Sequence, residues 1–167
     1  MATLIVNIHA TTLRLGRAAA LFGAPKAMGV LLIGRSGAGK SDLALRLMAF
    51  GADLVADDRS DLFVARGKLM AKSPAAIAGL LEVRGVGIVS LPYSDTAPIG
   101  LVVRLGKTPK RLPGPEFWHP PAALAPKPKG FPPLINLQGF EASAPEKLLL
   151  AAAAFTKDLF RDNSNPI

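Results

Sequence analysis

Cysteine is absent from this 167-residue chain, which excludes disulfides and thiolate metal sites. Histidine occurs twice, at His9 and His119, too few for a histidine-rich metal centre. Aromatics are scarce, with one Trp and one Tyr, and no reader motif accompanies the basic residues, so nucleic acid is not an expected partner. No run of eighteen apolar residues occurs, so no membrane span is expected. Acids are missing from residues 1–41, which hold five Lys or Arg. A targeting peptide shares that bias, but Leu4-Ile5-Val6-Asn7-Ile8 reads as a strand, no charge precedes it, and the first serine is Ser36. The chain is therefore read as cytoplasmic.

Half of the residues are hydrophobic, enough for a real core and against global disorder, and the length favours one domain. The net charge of +8 is uneven: residues 101–130 carry six Lys or Arg against Glu116 alone. Such an excess suits phosphates or an acidic protein partner, although a merely solvated basic face has the same composition.

One stretch organises the rest. Gly34-Arg35-Ser36-Gly37-Ala38-Gly39-Lys40-Ser41 reads G-x-x-x-x-G-K-S, the P-loop pattern that cradles nucleotide phosphates. Val30 to Ile33 before it suits a buried strand, and Asp42 to Phe50 after it reads as a helix that Gly51 ends. In that setting backbone N–H groups and the helix N-terminus converge on an anion. Lys40 then reaches the β- and γ-phosphates, and the Ser41 hydroxyl is placed to ligate Mg²⁺.

The next element, Asp53-Leu54-Val55-Ala56-Asp57-Asp58, is a short apolar strand ending in two acids. After a P-loop unit, acids at a strand's carboxyl end serve a Mg²⁺-nucleotide site. The plain alternative is a strand followed by an Asx turn. Asp61–Ala65 and Lys68–Ala71 around Arg66-Gly67 predict a β-hairpin, and Ser73-Pro74 predicts a short helix to about Leu80. Leu81-Glu82-Val83-Arg84-Gly85-Val86-Gly87-Ile88-Val89 reads as a strand with Glu82 and Arg84 on one face. Its two glycines imply a bulge or a close approach of the backbone.

Thr3 to Ala10 is a further candidate strand, bent into Thr11 to Leu15, with a loop or short helix over 16–27. Ile99 to Leu105 is another strand. From Pro109 to Pro133 the chain carries nine of its fifteen prolines, which predicts a basic loop or extended arm over about 107–133, outside the core. Ser143-Ala144-Pro145-Glu146 has the form of a capping box and starts a helix over about 144–160.

Four of these pieces, in order, resemble one family. They are Ile8-His9-Ala10, the Gly34–Ser41 loop, Leu54-Val55-Ala56-Asp57-Asp58-Arg59, and Leu81-Glu82-Val83-Arg84-Gly85-Val86-Gly87-Ile88. Together they resemble the catalytic domain of bifunctional HPr kinase/phosphorylase, over about residues 4 to 111. The last segment is the most specific, because other P-loop kinases do not carry it. The resemblance implies a single α/β domain with a P-loop mixed sheet similar to phosphoenolpyruvate carboxykinase. It implies ATP and Mg²⁺ as cofactors, and an HPr-type phosphocarrier as the partner, phosphorylated on a serine. It also implies phosphorolysis of phosphoserine-HPr to pyrophosphate, and a hexamer as the family's usual assembly.

Residue by residue, Asp58 matches the proton acceptor of the forward reaction, and Ser41 and Glu82 match Mg²⁺ ligands, with Asp57 beside them. Lys40 matches the catalytic P-loop lysine, His9 the histidine before the loop, and Arg111 the catalytic arginine. The sequence departs from the family in three places. The N-terminal domain of typical members has no counterpart here, extra residues lie around Arg17 to Lys26, and Ile135-Asn136-Leu137-Gln138-Gly139 does not match the family's dephosphorylation segment. Two further readings stay open: a small-molecule P-loop kinase, which needs an arginine-bearing lid, and a non-catalytic nucleotide-sensing module. The basic arm is a candidate contact for a protein substrate.

Overall fold

The structure, a computed structural model, describes residues 2–161. Ten strands and two helices follow one another as β1 (Val6–His9), β2 (Thr11–Arg14), β3 (Gly29–Ile33), α1 (Lys40–Ala49), β4 (Asp53–Ala56), β5 (Arg59–Ala65), β6 (Lys68–Lys72), β7 (Leu80–Val83), β8 (Gly87–Ser90), β9 (Thr96–Leu105), β10 (Leu134–Leu137) and α2 (Ala144–Lys157). A six-residue 3₁₀ helix covers Gly16–Leu21 and a single 3₁₀ turn Ala75–Ile77.

Eight strands form one mixed sheet in the order β1-β5-β6-β9-β3-β2-β4, with β10 added to β9. β3, β9 and β10 run parallel, while β2 is antiparallel to both β3 and β4. The ten-residue β9 serves two partners on one edge: Thr96–Pro98 pairs with β6, and Val102–Leu105 pairs with β10. The sheet curls so that its two ends meet. β1 runs into β2 through Ala10, β4 runs into β5 through Asp57 and Asp58, and Thr12 Oγ1 lies 2.7 Å from Ser60 Oγ across the junction.

Alternation along β3 divides the core. Val30 and Leu32 face the helices and join Leu43 and Leu47 of α1 and Leu148, Leu149, Ala152 and Ala153 of α2. Leu31 faces the other way, toward Leu62, Leu69, Val102, Leu134 and Leu124. β3 is therefore buried on both faces, as a parallel strand inside an α/β sheet should be.

Most sequence-predicted elements are present, with instructive differences. The Arg66-Gly67 hairpin pairs Asp61 with Lys72 through Ala65 with Lys68. The predicted helix after Ser73-Pro74 is only the turn Ala75–Ile77, and Leu80 already belongs to β7. The segment read as one glycine-bearing strand is a β7–β8 hairpin, and its glycines serve the turn: Gly85 and Gly87 have φ of 82° and 119° with nothing near them. Ser143 does hold the cap position of α2, but its side chain makes no capping bond, so the predicted capping box does not close. α2 stops at Lys157, where Asp158 turns left-handed at φ 53°, short of the expected end near Phe160.

The proline-rich segment lacks regular structure but is folded onto the sheet. Trp118 N donates to Pro132 O at 2.9 Å, Leu134 N to Glu116 O at 2.8 Å, and Leu4 N to Ala125 O at 2.9 Å. Leu124 is fully buried. This corrects the expectation that the segment stays outside the core.

Candidate active site

β3 delivers the chain to Gly34 at the carboxyl edge of the sheet, and α1 begins at Lys40 with Gly39 in the N-cap position. Gly39 has φ of 96°, so only glycine suits the turn that swings the loop into the helix. A β-carbon there would also meet the Phe140 ring at 3.2 Å. Lys40 is 6% exposed, and its ammonium donates to the carbonyls of Gly34 at 2.8 Å and Arg35 at 2.9 Å. Burial lowers its pKa, while the charges of Asp58 and Asp57 pull it back up.

Asp57 and Asp58 follow β4 and have opposite surroundings. Asp57 is 5% exposed. Its Oδ1 accepts from Ser41 Oγ at 2.8 Å and Thr11 Oγ1 at 2.9 Å, and its Oδ2 accepts from Glu82 N at 3.3 Å. It thus ties together the P-loop, the β1–β2 junction and the β7–β8 hairpin. Asp58 projects into solvent, its side chain 71% exposed, with Oδ1 3.3 Å from His9 Nε2. Its φ of 65° is a left-handed conformation that Asp tolerates better than most residues, and its carbonyl accepts from Ala10 N at 3.1 Å. A backbone outlier in a cleft beside a phosphate loop points to a working side chain.

These groups line one cleft of about 280 Å³, together with Ser36, Gly37 and Glu82. Gly34, Arg35 and Ala38 lie behind its wall: the first two lend carbonyls to Lys40, and Ala38 packs against the segment after β10. Arg111 is not brought to the cleft. It is exposed, in the irregular stretch after β9, and is not part of the cleft wall.

Three cleft features were missed or undervalued in the sequence. Arg84 reaches the wall, with Nη2 3.9 Å from the position a Gly37 β-carbon would take. The sequence placed it only on one face of a strand with Glu82. Phe140 forms the wall beside Gly39. Arg46 fixes the Phe140 segment by donating to the carbonyls of Gly139 and Glu141, and is itself held by Asp42 at 2.8 Å. An Asp42–Arg46 pair at i,i+4 was visible in the sequence; its long-range targets were not.

The donors suit a hard cation. Ser41, Asp57 and Glu82 offer only oxygens, as Mg²⁺ requires. Among the described residues no three His, Cys, Asp or Glu side chains gather into a dedicated metal cage.

Strand β3, the G-x-x-x-x-G-K-S loop and α1, with the acid-tipped β4 two places along the sheet beyond β2, give the cleft a P-loop architecture. The comparisons narrow this. Residues 21–97 match the family model described as HPr Serine kinase C-terminal domain. The chain is 42% identical over 85 residues to the HPr kinase/phosphorylase of Clostridium tetani, covering 47% of this chain and 28% of that protein. It is 48% identical over 65 residues to that of Clostridium acetobutylicum, covering 39% and 21%. The chain thus spans only about a quarter of the length of these relatives. The Hpr(Ser) kinase/phosphatase structure from Coxiella burnetii shares the fold, with a TM-score of 0.68 over 93% of this chain and 99% of that one at 24% identity. The resemblance to HPr kinase/phosphorylase read from the sequence is borne out over the P-loop, Asp57-Asp58 and the Leu81–Ile88 hairpin. His9 and Arg111 lie outside the segment matched by the family model. No helix among the described residues is long and apolar enough to cross a membrane.

Proposed function

We propose that the cleft phosphorylates a serine of an HPr-type phosphocarrier, using ATP and Mg²⁺. The observation that carries this reading is Asp58: an open carboxylate in a constrained backbone conformation, in the same cleft as the P-loop, with His9 beside it. A protein hydroxyl needs an accessible base, and of the two acids that follow β4 Asp58 is the one the fold leaves open.

Lys40 and the P-loop N–H groups hold the phosphate chain and offset its charge. Mg²⁺, held by Ser41, Asp57 and Glu82, supplies further charge neutralisation when bound. Arg84 on the same wall is placed to add a guanidinium there, a position that Arg111 does not occupy. As the serine oxygen attacks the γ-phosphorus, its proton passes to the Asp58 carboxylate. The bond from that phosphorus to the β–γ bridging oxygen breaks, leaving phosphoserine and ADP. His9, 3.3 Å from Asp58, steers the carboxylate. Kinship of the sheet with that of phosphoenolpyruvate carboxykinase is part of this reading, supported by the curled mixed sheet. The relatives are named kinase/phosphorylase, so the reverse use of the cleft by inorganic phosphate is the second half of the proposal.

The test is transfer of label from γ-labelled ATP to HPr of the same organism, beside HPr with its target serine changed to alanine. Serine-dependent labelling is expected. Asp58→Asn is expected to lower turnover about 100-fold or more while ATP still binds. Absence of labelling with ATP binding intact would move the reading to another acceptor or to a nucleotide sensor.

A further inference from the structure

The phosphate loop accounts for only one part of a nucleotide, and the geometry points to Phe140 as the platform on which the nucleobase stacks. This inference rests on the reading of the cleft as a nucleotide site and extends it to the base.

Four observations converge. First, Phe140 is 67% exposed, the most open of the exposed phenylalanines among the described residues, and it alone of them lines the cleft. Second, the ring turns its far edge toward the loop. The positions nearest a Gly39 β-carbon would be Cζ, Cε1 and Cε2, at 3.2 to 3.4 Å, so the ring is seated on the loop by its tip.

Third, the ring is held from behind. Gly139 packs so closely that a β-carbon there would lie 2.6 Å from Ala38 O. Arg46 of α1 donates to the carbonyls on either side of Phe140, at Gly139 and Glu141. The P-loop and α1 that follows it therefore fix the backbone that presents this side chain. No packing need explains that, because the ring it presents is left largely in water.

Fourth, Phe140 follows β10, which lies beyond β9 from β3, whereas Asp57 and Asp58 follow β4 on the other side of β3. In open α/β sheets, ligands bind at the carboxyl ends of strands, and loops on both sides of the switch contact them. The acids take the reacting end of the phosphate chain, which leaves the β10 side for the base. Leu45 adds an apolar neighbour in the same cleft, 41% exposed. A flat ring beside a phosphate loop is the arrangement that stacks a base without reading its identity. The platform is thus expected to accept purine nucleotides with little discrimination.

The experiment is calorimetric titration of the full chain, in Mg²⁺, with ATP and separately with inorganic tripolyphosphate. The variants are Phe140→Ala, Phe140→Leu and Phe140→Trp. Alanine and leucine are expected to weaken ATP binding about tenfold, and tryptophan to preserve it, with tripolyphosphate binding equal in all four proteins. The leucine variant keeps an apolar tip against Gly39, so its loss of ATP affinity separates stacking from loop packing. Unchanged ATP binding in the alanine variant would overturn the platform, and the ring would then belong to an acceptor-protein contact. Equal weakening of ATP and tripolyphosphate would also overturn it, by showing that Phe140 only shapes the loop. Failure of the wild-type chain to bind either ligand would instead sink the nucleotide reading itself, and the platform with it.

Discussion

The two faces of the sheet are closed by different means. On one face α1 and α2 lay down leucines and alanines at helical spacing: Leu43 and Leu47, then Leu148, Leu149, Ala152 and Ala153. On the other, Leu62, Val64 and Leu69 arrive from the curled β5–β6 hairpin, and Leu124 from a segment with no regular structure. The helix-covered face also shapes the cleft, since the loop that starts α1 forms part of its wall. The difference teaches that a dry core and a reactive cleft need not come from the same kind of element. A proline-rich segment can complete the first while contributing little to the second.

The largest test of that contrast compares Leu124→Ala with Leu148→Ala by chemical denaturation. Both side chains are fully buried, so each is expected to cost about 2–5 kcal/mol. A loss well under 1 kcal/mol for Leu124→Ala would show that the proline-rich segment is draped over the sheet rather than packed into it.

A smaller effect is expected where the two ends of the sheet meet. Asp57 accepts from Thr11, Ser41 and Glu82, so Asp57→Asn is expected to lower stability by about 1.5–3 kcal/mol, because it replaces charge-assisted bonds at a buried carboxylate. The same change at Asp58 is expected to leave stability nearly unaltered, since that side chain is 71% exposed. Equal losses at both positions would erase the division between a buried, bonded acid and an open one.

The smallest effect concerns Lys40. Burial holds its pKa below the ordinary 10.5, against the pull of Asp58 and Asp57. Between the lowered value and 10.5 the unfolded chain binds more protons at this residue than the folded one, so stability rises with pH across that window. Wild type is therefore expected to gain stability relative to Lys40→Met as pH climbs toward 10.5, with no change in their difference at neutral pH. A flat difference throughout would mean that the ammonium is not dehydrated in the free cleft.

Local pattern was enough for the unit from β3 through α1 to Asp58. Glycine spacing, a β-branched run and an apolar helical stripe each act within a few residues, so they are legible in one dimension. The Arg66-Gly67 turn was legible for the same reason. Leu81–Val89 was not, because a strand broken by Gly85 and Gly87 and a hairpin turned by them present the same letters. Only pairing of Leu81 with Val89 distinguishes them.

By itself the sequence determined the glycine-rich loop between β3 and α1, the acid pair after β4 and the family that these pieces resemble. Those depend on backbone conformations that glycine, lysine, serine and aspartate impose locally. Tertiary structure alone decided which aspartate is buried and which is free, since that depends on donors from Thr11 and Glu82 at separations of 46 and 25 residues. It also decided that Arg84 and Phe140 stand in the cleft while Arg111 does not. Such placements arise from strand order and sheet curl, which bring distant segments to one edge, and no spacing within a single segment encodes that meeting.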